Sequence, residues 1–169
     1  MKTVICPGSF DPATLGHLDI IRRSAKMFDR VIVVVMTNYN KKDTYAFTAP
    51  ERVELLKRAI GNNLPNVEID SYDGLLADYA KKRNAIAIVK GLRAVSDFEY
   101  EFQQALTNKK LNSEIETVFI TTRAENMYLS SSVVKQVCEL GGDITDFVPP
   151  QICDDIIKRI RKFKVKQEV

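Results

Sequence analysis

Ten consecutive residues concentrate the chemistry of this chain: Gly8-Ser9-Phe10-Asp11-Pro12-Ala13-Thr14-Leu15-Gly16-His17. They follow an apolar run, Thr3-Val4-Ile5-Cys6, and precede an amphipathic stretch from Leu18 to Phe28. That order predicts a strand, a glycine-containing turn and the start of a helix. His17 is the only histidine among 169 residues, and it falls at the predicted helix start. A helix N-terminus offers unpaired backbone N–H groups and a partial positive charge. Glycine nearby lets a phosphate approach the backbone, and an imidazole adds a side-chain donor. The segment reads as a nucleotide-phosphate site. A lone histidine often has no chemistry, and Gly-Ser-Phe-Asp-Pro alone also makes ordinary turns. The argument rests on strand, two glycines, hydroxyl and helix start falling in register.

Three further segments follow predicted strand ends. They are Lys41-Lys42, Lys90-Gly91-Leu92-Arg93, and Ser130-Ser131-Ser132 at a helix start. With the first segment they supply an imidazole, several cations, glycine backbone and three hydroxyls. That set suits a triphosphate, because cations neutralise charge and helix starts offer oriented donors. Each segment has a plainer reading. Lys41-Lys42 also fits a solvated charge pair, one of the three serines fits a helix N-cap, and Asp97, Glu99 and Glu101 suit a helix N-terminus in any case. A glycine between two cations at a strand end has no evident packing reason.

The elements that must position these residues alternate. Strands are predicted at Thr3–Cys6, Val31–Met36, Val67–Tyr72, Ala85–Val89 and Thr117–Thr121. The second and fourth are nearly all apolar, as strands covered on both faces are. Helices are predicted between them. Thr48-Ala49-Pro50-Glu51 and Ser96-Asp97-Phe98-Glu99 read as capping boxes, and Gly141-Gly142 stops a helix from Ser132 to Leu140. A last helix runs from about Pro150 to Lys164. The fold class expected is α/β: a Rossmann-like, doubly wound, five-stranded parallel sheet with helices on both faces, in a single domain over residues 1–169. Ligands of such sheets bind beyond the carboxyl ends of the strands, where strand order reverses. The connection from Thr37 to Phe47 reads as a loop over the site.

Composition narrows the function classes. The chain is 45% hydrophobic and 28% charged, as ordinary globular proteins are. No apolar run reaches membrane-spanning length, and the N-terminal apolar run is too short for a signal peptide, so no membrane and a cytoplasmic location are expected. Cys6, Cys138 and Cys153 are scattered and, with one histidine, cannot complete a zinc site; buried thiols are expected. A net charge of +3 suits a protein that handles anions without demanding nucleic acid. The basic tail from Lys158 to Lys166 reads as a solvated final turn, with no aromatic-rich pattern beside it, so no nucleic-acid partner is expected. The sequence G-x-x-x-x-G-K-[ST] does not occur, no G-x-G-x-x-G follows the first strand, and no serine nucleophile elbow occurs. The first two absences argue against a P-loop kinase and a dehydrogenase, and the sole histidine has no evident Asp or Cys partner motif.

Thr14-Leu15-Gly16-His17 resembles the T/H-x-G-H motif of the nucleotidyltransferase superfamily, and Leu129-Ser130-Ser131-Ser132-Val133-Val134-Lys135 resembles its I-S-S-S/T-x-x-R/K signature. Within the superfamily the chain is similar to the bacterial phosphopantetheine adenylyltransferases. The specific marks are Pro7 to Pro12 and Lys90-Gly91-Leu92-Arg93-Ala94-Val95-Ser96-Asp97-Phe98-Glu99-Tyr100-Glu101, and the likeness runs from about residue 3 to about residue 150. It implies that ATP and 4′-phosphopantetheine give dephospho-coenzyme A and pyrophosphate. The acceptor phosphate would attack the α-phosphorus in line, without a protein nucleophile.

The resemblance also implies roles. His17 would stabilise the transition state, with Lys41 and Arg93 as further catalytic groups. ATP would lie against Ser9, Phe10, His17, Gly91, Leu92, Arg93, Glu101 and the run Asn126, Met127, Tyr128, Leu129, Ser130, Ser131, Ser132. The acceptor would meet Ser9, Lys41, Leu76, Lys90 and Asn108. Mg²⁺ would be held by phosphates and water, with no protein metal ligands. A homohexamer and feedback binding of coenzyme A are implied as well. Three positions depart from the common pattern: Ser9 for threonine, Lys90 for arginine and Leu129 for isoleucine. Lys42 remains an alternative to Lys41. Another phosphate acceptor, or a non-catalytic nucleotide- or RNA-binding module, are the rival readings.

Overall fold

The structure is a computed structural model that describes residues 1–37 and 44–167, with the side chains of residues 95, 96 and 162–167 left aside. Lys41 and Lys42 therefore lie outside the described residues. Five strands, β1 (Thr3–Gly8), β2 (Arg30–Met36), β3 (Val67–Tyr72), β4 (Ala87–Leu92) and β5 (Glu116–Thr121), alternate with helices. The helices are α1 (Leu15–Met27), α2 (Ala49–Ile60), α3 (Leu76–Lys82), α4 (Val95–Leu111), α5 (Ser131–Glu139) and α6 (Pro150–Gln167). All strand pairs are parallel, in the order β3-β2-β1-β4-β5. This is the Rossmann-like sheet expected, and its order reverses between β1 and β4.

Period-two alternation assigns the faces. Val4 and Cys6 of β1, with Val31, Val33 and Val35 of β2, turn toward a core shared with α1, α2, α5 and α6. Ile5, Ile32, Val34 and Ile88 turn to the opposite face, against Tyr79 and Ala80 of α3. The three cysteines are buried and unpaired, and burial pushes the Cys6 thiol up to about 12.

Several expected boundaries move. β4 extends to Leu92, so Lys90 and Gly91 lie inside the strand, opposite Phe119 and Ile120, rather than after it. Packing does explain that glycine, since a Cβ on Gly91 would meet Ile20 Cγ1 at 3.0 Å. The second capping box does not form. α4 starts at Val95 with Ala94 as its N-cap and no side-chain cap bond, which puts Ser96 inside the helix. The box at Thr48 and Glu51 does form, with both reciprocal bonds. The basic tail is not uniformly solvated. Arg159 donates to the Ala46 carbonyl at 2.9 Å, pairs with Glu51 and stacks on the Phe47 ring at 4.8 Å.

The β1 ladder determines where a ligand can enter. β1 follows β2 through all six of its residues but pairs with β4 only at Val4–Ala87 and Ile5–Ile88. Beyond those pairs the two strands separate, and the gap becomes the floor of a cleft. Gly8 stands at its lip. Phe10 takes a left-handed backbone (φ 48°) and folds its ring back, so a Cβ on Gly8 would lie 2.8 Å from Phe10 Cζ. Gly8→Ala is expected to cost about 1–3 kcal/mol of stability through that overpacking. Urea denaturation measures it, and an unchanged midpoint would refute the contact.

Candidate active site

The cleft at the switch point encloses about 800 Å³. One wall is the β1–α1 turn with Gly8, Ser9, Phe10, Gly16 and His17. The other is the end of β4 with Lys90, Gly91 and Arg93, and α4 with Asp97, Glu101 and Asn108. Asn126, Leu129, Ser130 to Ser132 and Leu76 complete the lining. Of the residues expected in a site, Leu92, Met127 and Tyr128 are not among those lining the cleft. Leu92 ends β4, and Tyr128 packs edge-on against Phe147 at 5.7 Å.

His17 owes its position to helix capping. α1 begins at Leu15, three residues before the predicted stretch, with Thr14 as N-cap. The His17 N–H donates to Thr14 Oγ1 at 3.3 Å, and the Thr14 N–H donates to His17 Nδ1 at 3.0 Å. This is a capping box with an imidazole where Glu or Gln usually stands. Its sequence signal, threonine three residues before a side chain that can accept, was available at Thr14-x-x-His17. Nδ1 must be unprotonated to accept, so the proton sits on Nε2, the nitrogen left for the cleft. Burial and the positive charges of Arg93 and Lys90 lower the His17 pKa from 6.5 to about 4. The imidazole is therefore a neutral donor at physiological pH. Phe10 holds the ring edge-on, with centroids 5.1 Å apart.

Both helix starts retain donors. Leu15 N–H is taken by the Phe147 carbonyl at 3.0 Å and His17 N–H by Thr14. Among the described residues no acceptor takes the N–H of Gly16, which lines the cleft. In α5, Ser130 is the N-cap and accepts from Val133 N–H at 3.1 Å. Ser131 Oγ donates to the Pro12 carbonyl at 2.8 Å, while Ser132 is exposed. The N–H groups of Ser131 and Ser132 again find no acceptor among the described residues. Such amides, at the positive ends of two helices, suit phosphate oxygens.

The cations are held by carboxylates. Lys90 Nζ lies 3.0 Å from Glu101 Oε2. Arg93 Nε donates to Asp97 at 3.1 Å and its Nη1 to the Leu129 carbonyl at 2.8 Å. Two buried side chains were not singled out from sequence. Asp11, 2% exposed, accepts from the N–H groups of Ala46 and Phe47, both at 3.0 Å, and from Lys135 Nζ at 2.9 Å. Arg52, also 2% exposed, donates to the Ser9 carbonyl at 2.6 Å and stacks on Tyr45. Asp11 sits in the segment with the most chemistry, but its partners are 35 and more residues away.

Comparison with known proteins places this arrangement. The model of the cytidylyltransferase-like family matches residues 5–137, from the first strand through the serines of α5. The structure of a nicotinic acid mononucleotide adenylyltransferase from Plasmodium falciparum covers 99% of this chain and 98% of its own, with a TM-score of 0.66 at 16% identity. A bifunctional NMN adenylyltransferase/ADP ribose pyrophosphatase from Francisella tularensis covers 99% of this chain and 53% of its own, with a TM-score of 0.71 at 14% identity. At these identities the likeness is one of fold. The chain belongs to the cytidylyltransferase-like family of nucleotidyltransferases.

Full-length relatives narrow the assignment. The phosphopantetheine adenylyltransferase of Caldanaerobacter subterraneus subsp. tengcongensis is 52% identical over 96% of this chain and 99% of its own. That of Clostridium beijerinckii is 53% identical over 95% and 99%. It is among the phosphopantetheine adenylyltransferases that this chain falls.

The single imidazole makes His17 directly observable. Its NMR titration midpoint is expected near pH 4, and Arg93→Gln, which removes one of the two opposing cations, is expected to raise it. The folded-state pKa lies below the unfolded one, so the unfolded chain binds the proton first. Stability is then lost as pH falls from 6.5 toward 4. A midpoint near 6.5 would contradict the buried, cation-flanked setting.

Proposed function

We propose that this chain transfers the adenylyl group of ATP to 4′-phosphopantetheine, releasing pyrophosphate and dephospho-coenzyme A. The acceptor phosphate attacks the α-phosphorus directly and no covalent enzyme intermediate forms. The observation that carries the reading is His17: a neutral imidazole whose Nδ1 is occupied by its own helix cap, leaving Nε2–H for an oxygen in the cleft. A donor fixed in advance gains strength as charge builds on the transferring phosphate, and that differential is catalysis.

The remaining roles are those the family resemblance gives. The Gly16 N–H and the α5 amides take polyphosphate oxygens, with Arg93 beside them. Ser9 meets both nucleotide and acceptor phosphate. Lys90, released from Glu101, takes the acceptor phosphate together with Lys41. Leu76 and Asn108, which also line the cleft, take the pantetheine arm. Mg²⁺ suits this site as an ion held by phosphate oxygens and water, because the lining carboxylates Asp97 and Glu101 already face cations. When bound it neutralises polyphosphate charge.

Two further features are part of the proposal. α4 leaves Phe98, Phe102 and Leu106, which share one face at i, i+4 and i+8, between 43 and 56% exposed. An apolar face of that size supports self-association, here as a homohexamer. Coenzyme A shares the pantetheine arm and adenosine of the product, so it is proposed to compete for the same cleft as a feedback inhibitor. No helix among the described residues is long and apolar enough to cross a membrane.

Pyrophosphate release should require ATP, Mg²⁺ and 4′-phosphopantetheine together, with dephospho-coenzyme A as the product by mass spectrometry. Release with a different phosphate acceptor instead would overturn the substrate. His17→Ala is expected to lower kcat by roughly 10²–10³ with unchanged circular dichroism, since one transition-state donor is lost. A near-normal rate would remove His17 from the mechanism. Light scattering should show six chains per particle, and Phe102→Glu should lower that number.

A further inference from the structure

One buried carboxylate joins three segments, two of which line the cleft. Asp11 belongs to the turn that bears Ser9 and leads into α1, where His17 lies. Its Oδ1 accepts from Phe47 N–H and its Oδ2 from Ala46 N–H, both at 3.0 Å. Lys135, on α5 beyond Ser130 to Ser132, reaches Asp11 Oδ2 at 2.9 Å and the Thr44 carbonyl at 3.0 Å. Ser131 Oγ adds a neutral bond from the same helix to Pro12 O. The pair is deeply placed, with Asp11 at 2% and the Lys135 side chain at 20% exposure.

We propose that the Asp11–Lys135 pair is a positioning device for the transfer step, setting the spacing between the turn that bears Ser9 and leads to His17 and the helix start at Ser130 to Ser132. Packing alone would fill this space, and a buried ion pair often adds little stability over apolar residues of the same volume. What it adds is direction. Bonds of 2.9–3.0 Å from a carboxylate to two amides and an ammonium fix three segments relative to one another more narrowly than side-chain contact does. In-line transfer needs that. The imidazole and the α5 amides must meet oxygens of one polyphosphate, and a misplacement of about 1 Å costs roughly 10²-fold in rate. Lys135 does not line the cleft, so it acts through the segments it holds. The proposal rests on the adenylyl-transfer reading for its kinetic consequence but not for its geometry.

The test uses the full chain and the variants Lys135→Met, Lys135→Arg and Asp11→Asn. In Lys135→Met, kcat is expected to fall roughly 10²-fold while the KM for ATP moves less than about threefold. Lys135→Arg, which keeps the charge, is expected to recover most of the rate. Should Lys135→Met not remain folded, Asp11→Asn is read by the same split. A purely structural role would lower the melting temperature and leave kcat per folded molecule intact, and that result overturns the proposal. Amide hydrogen exchange supplies a readout independent of turnover. The Ala46, Phe47 and Val133 amides are expected to lose protection together in Lys135→Met. Unchanged protection at all three overturns the proposal even if the parent chain proves inactive with 4′-phosphopantetheine, an outcome that would by itself count only against the assigned reaction.

Discussion

The bond from the Thr14 N–H to His17 Nδ1 underlies both the architecture and the chemistry of this protein. A helix start leaves backbone donors without partners, and a capping box answers two of them with side chains. Here the responding side chain is an imidazole, so closing the cap also fixes the ring's orientation and tautomer. Loss of the cap would free the ring and allow the other nitrogen to carry the proton. The same local setting, which takes part of the ring out of water and puts it beside two cations, favours the neutral imidazole.

The cleft exists because a parallel ladder stops early. β1 stays bonded to β2 along its length and leaves β4 after Ile5. Two helix N-termini, from α1 and α5, then border one opening. Their fixed partial charges need no reorganisation when a phosphate arrives, and fixed donors of this kind carry most of an electrostatic catalyst's effect. The mobile charges differ. Lys90 and Arg93 wait against Glu101 and Asp97, so the open cleft holds paired rather than naked cations. Ligand binding has to compete with these pairs, which favours anions of high charge density over weak ones.

α4 connects two surfaces. One side carries Asp97, Glu101 and Asn108 into the cleft. Another leaves aromatic and aliphatic side chains in water, with Phe98 and Phe102 stacked 5.4 Å apart. An apolar helix face left in water is poorly satisfied by a single chain. The wall that would sense the acceptor is thus the same element that would meet a neighbour.

The α/β class, the parallel sheet and three of the four segments, those at Gly8 to His17, Lys90 to Arg93 and Ser130 to Ser132, were legible in the sequence, because each depends on local rules: period-two apolar runs, turn residues and helix starts close in the chain. Thr14-Leu15-Gly16-His17 and Ser130 to Ser132 stand where those rules put them. Boundaries drifted where propensity competed with pairing. β4 runs on through Lys90 and Gly91 because β5 continues to offer ladder partners, and the helix after it starts at Val95, ahead of the serine that looked like its cap. Other decisions needed the folded chain. The reason for Gly91 is Ile20, and the partners of Asp11 are Ala46, Phe47 and Lys135. Arg159 leaves the solvated tail for Glu51 and Phe47. Sequence alone thus determined which groups could bind phosphate and roughly where along the fold they lie. Tertiary structure decided which of them face one another, which nitrogen of His17 is free and which charges are already paired, because those properties depend on distances between residues far apart in the chain and on the water that folding removes.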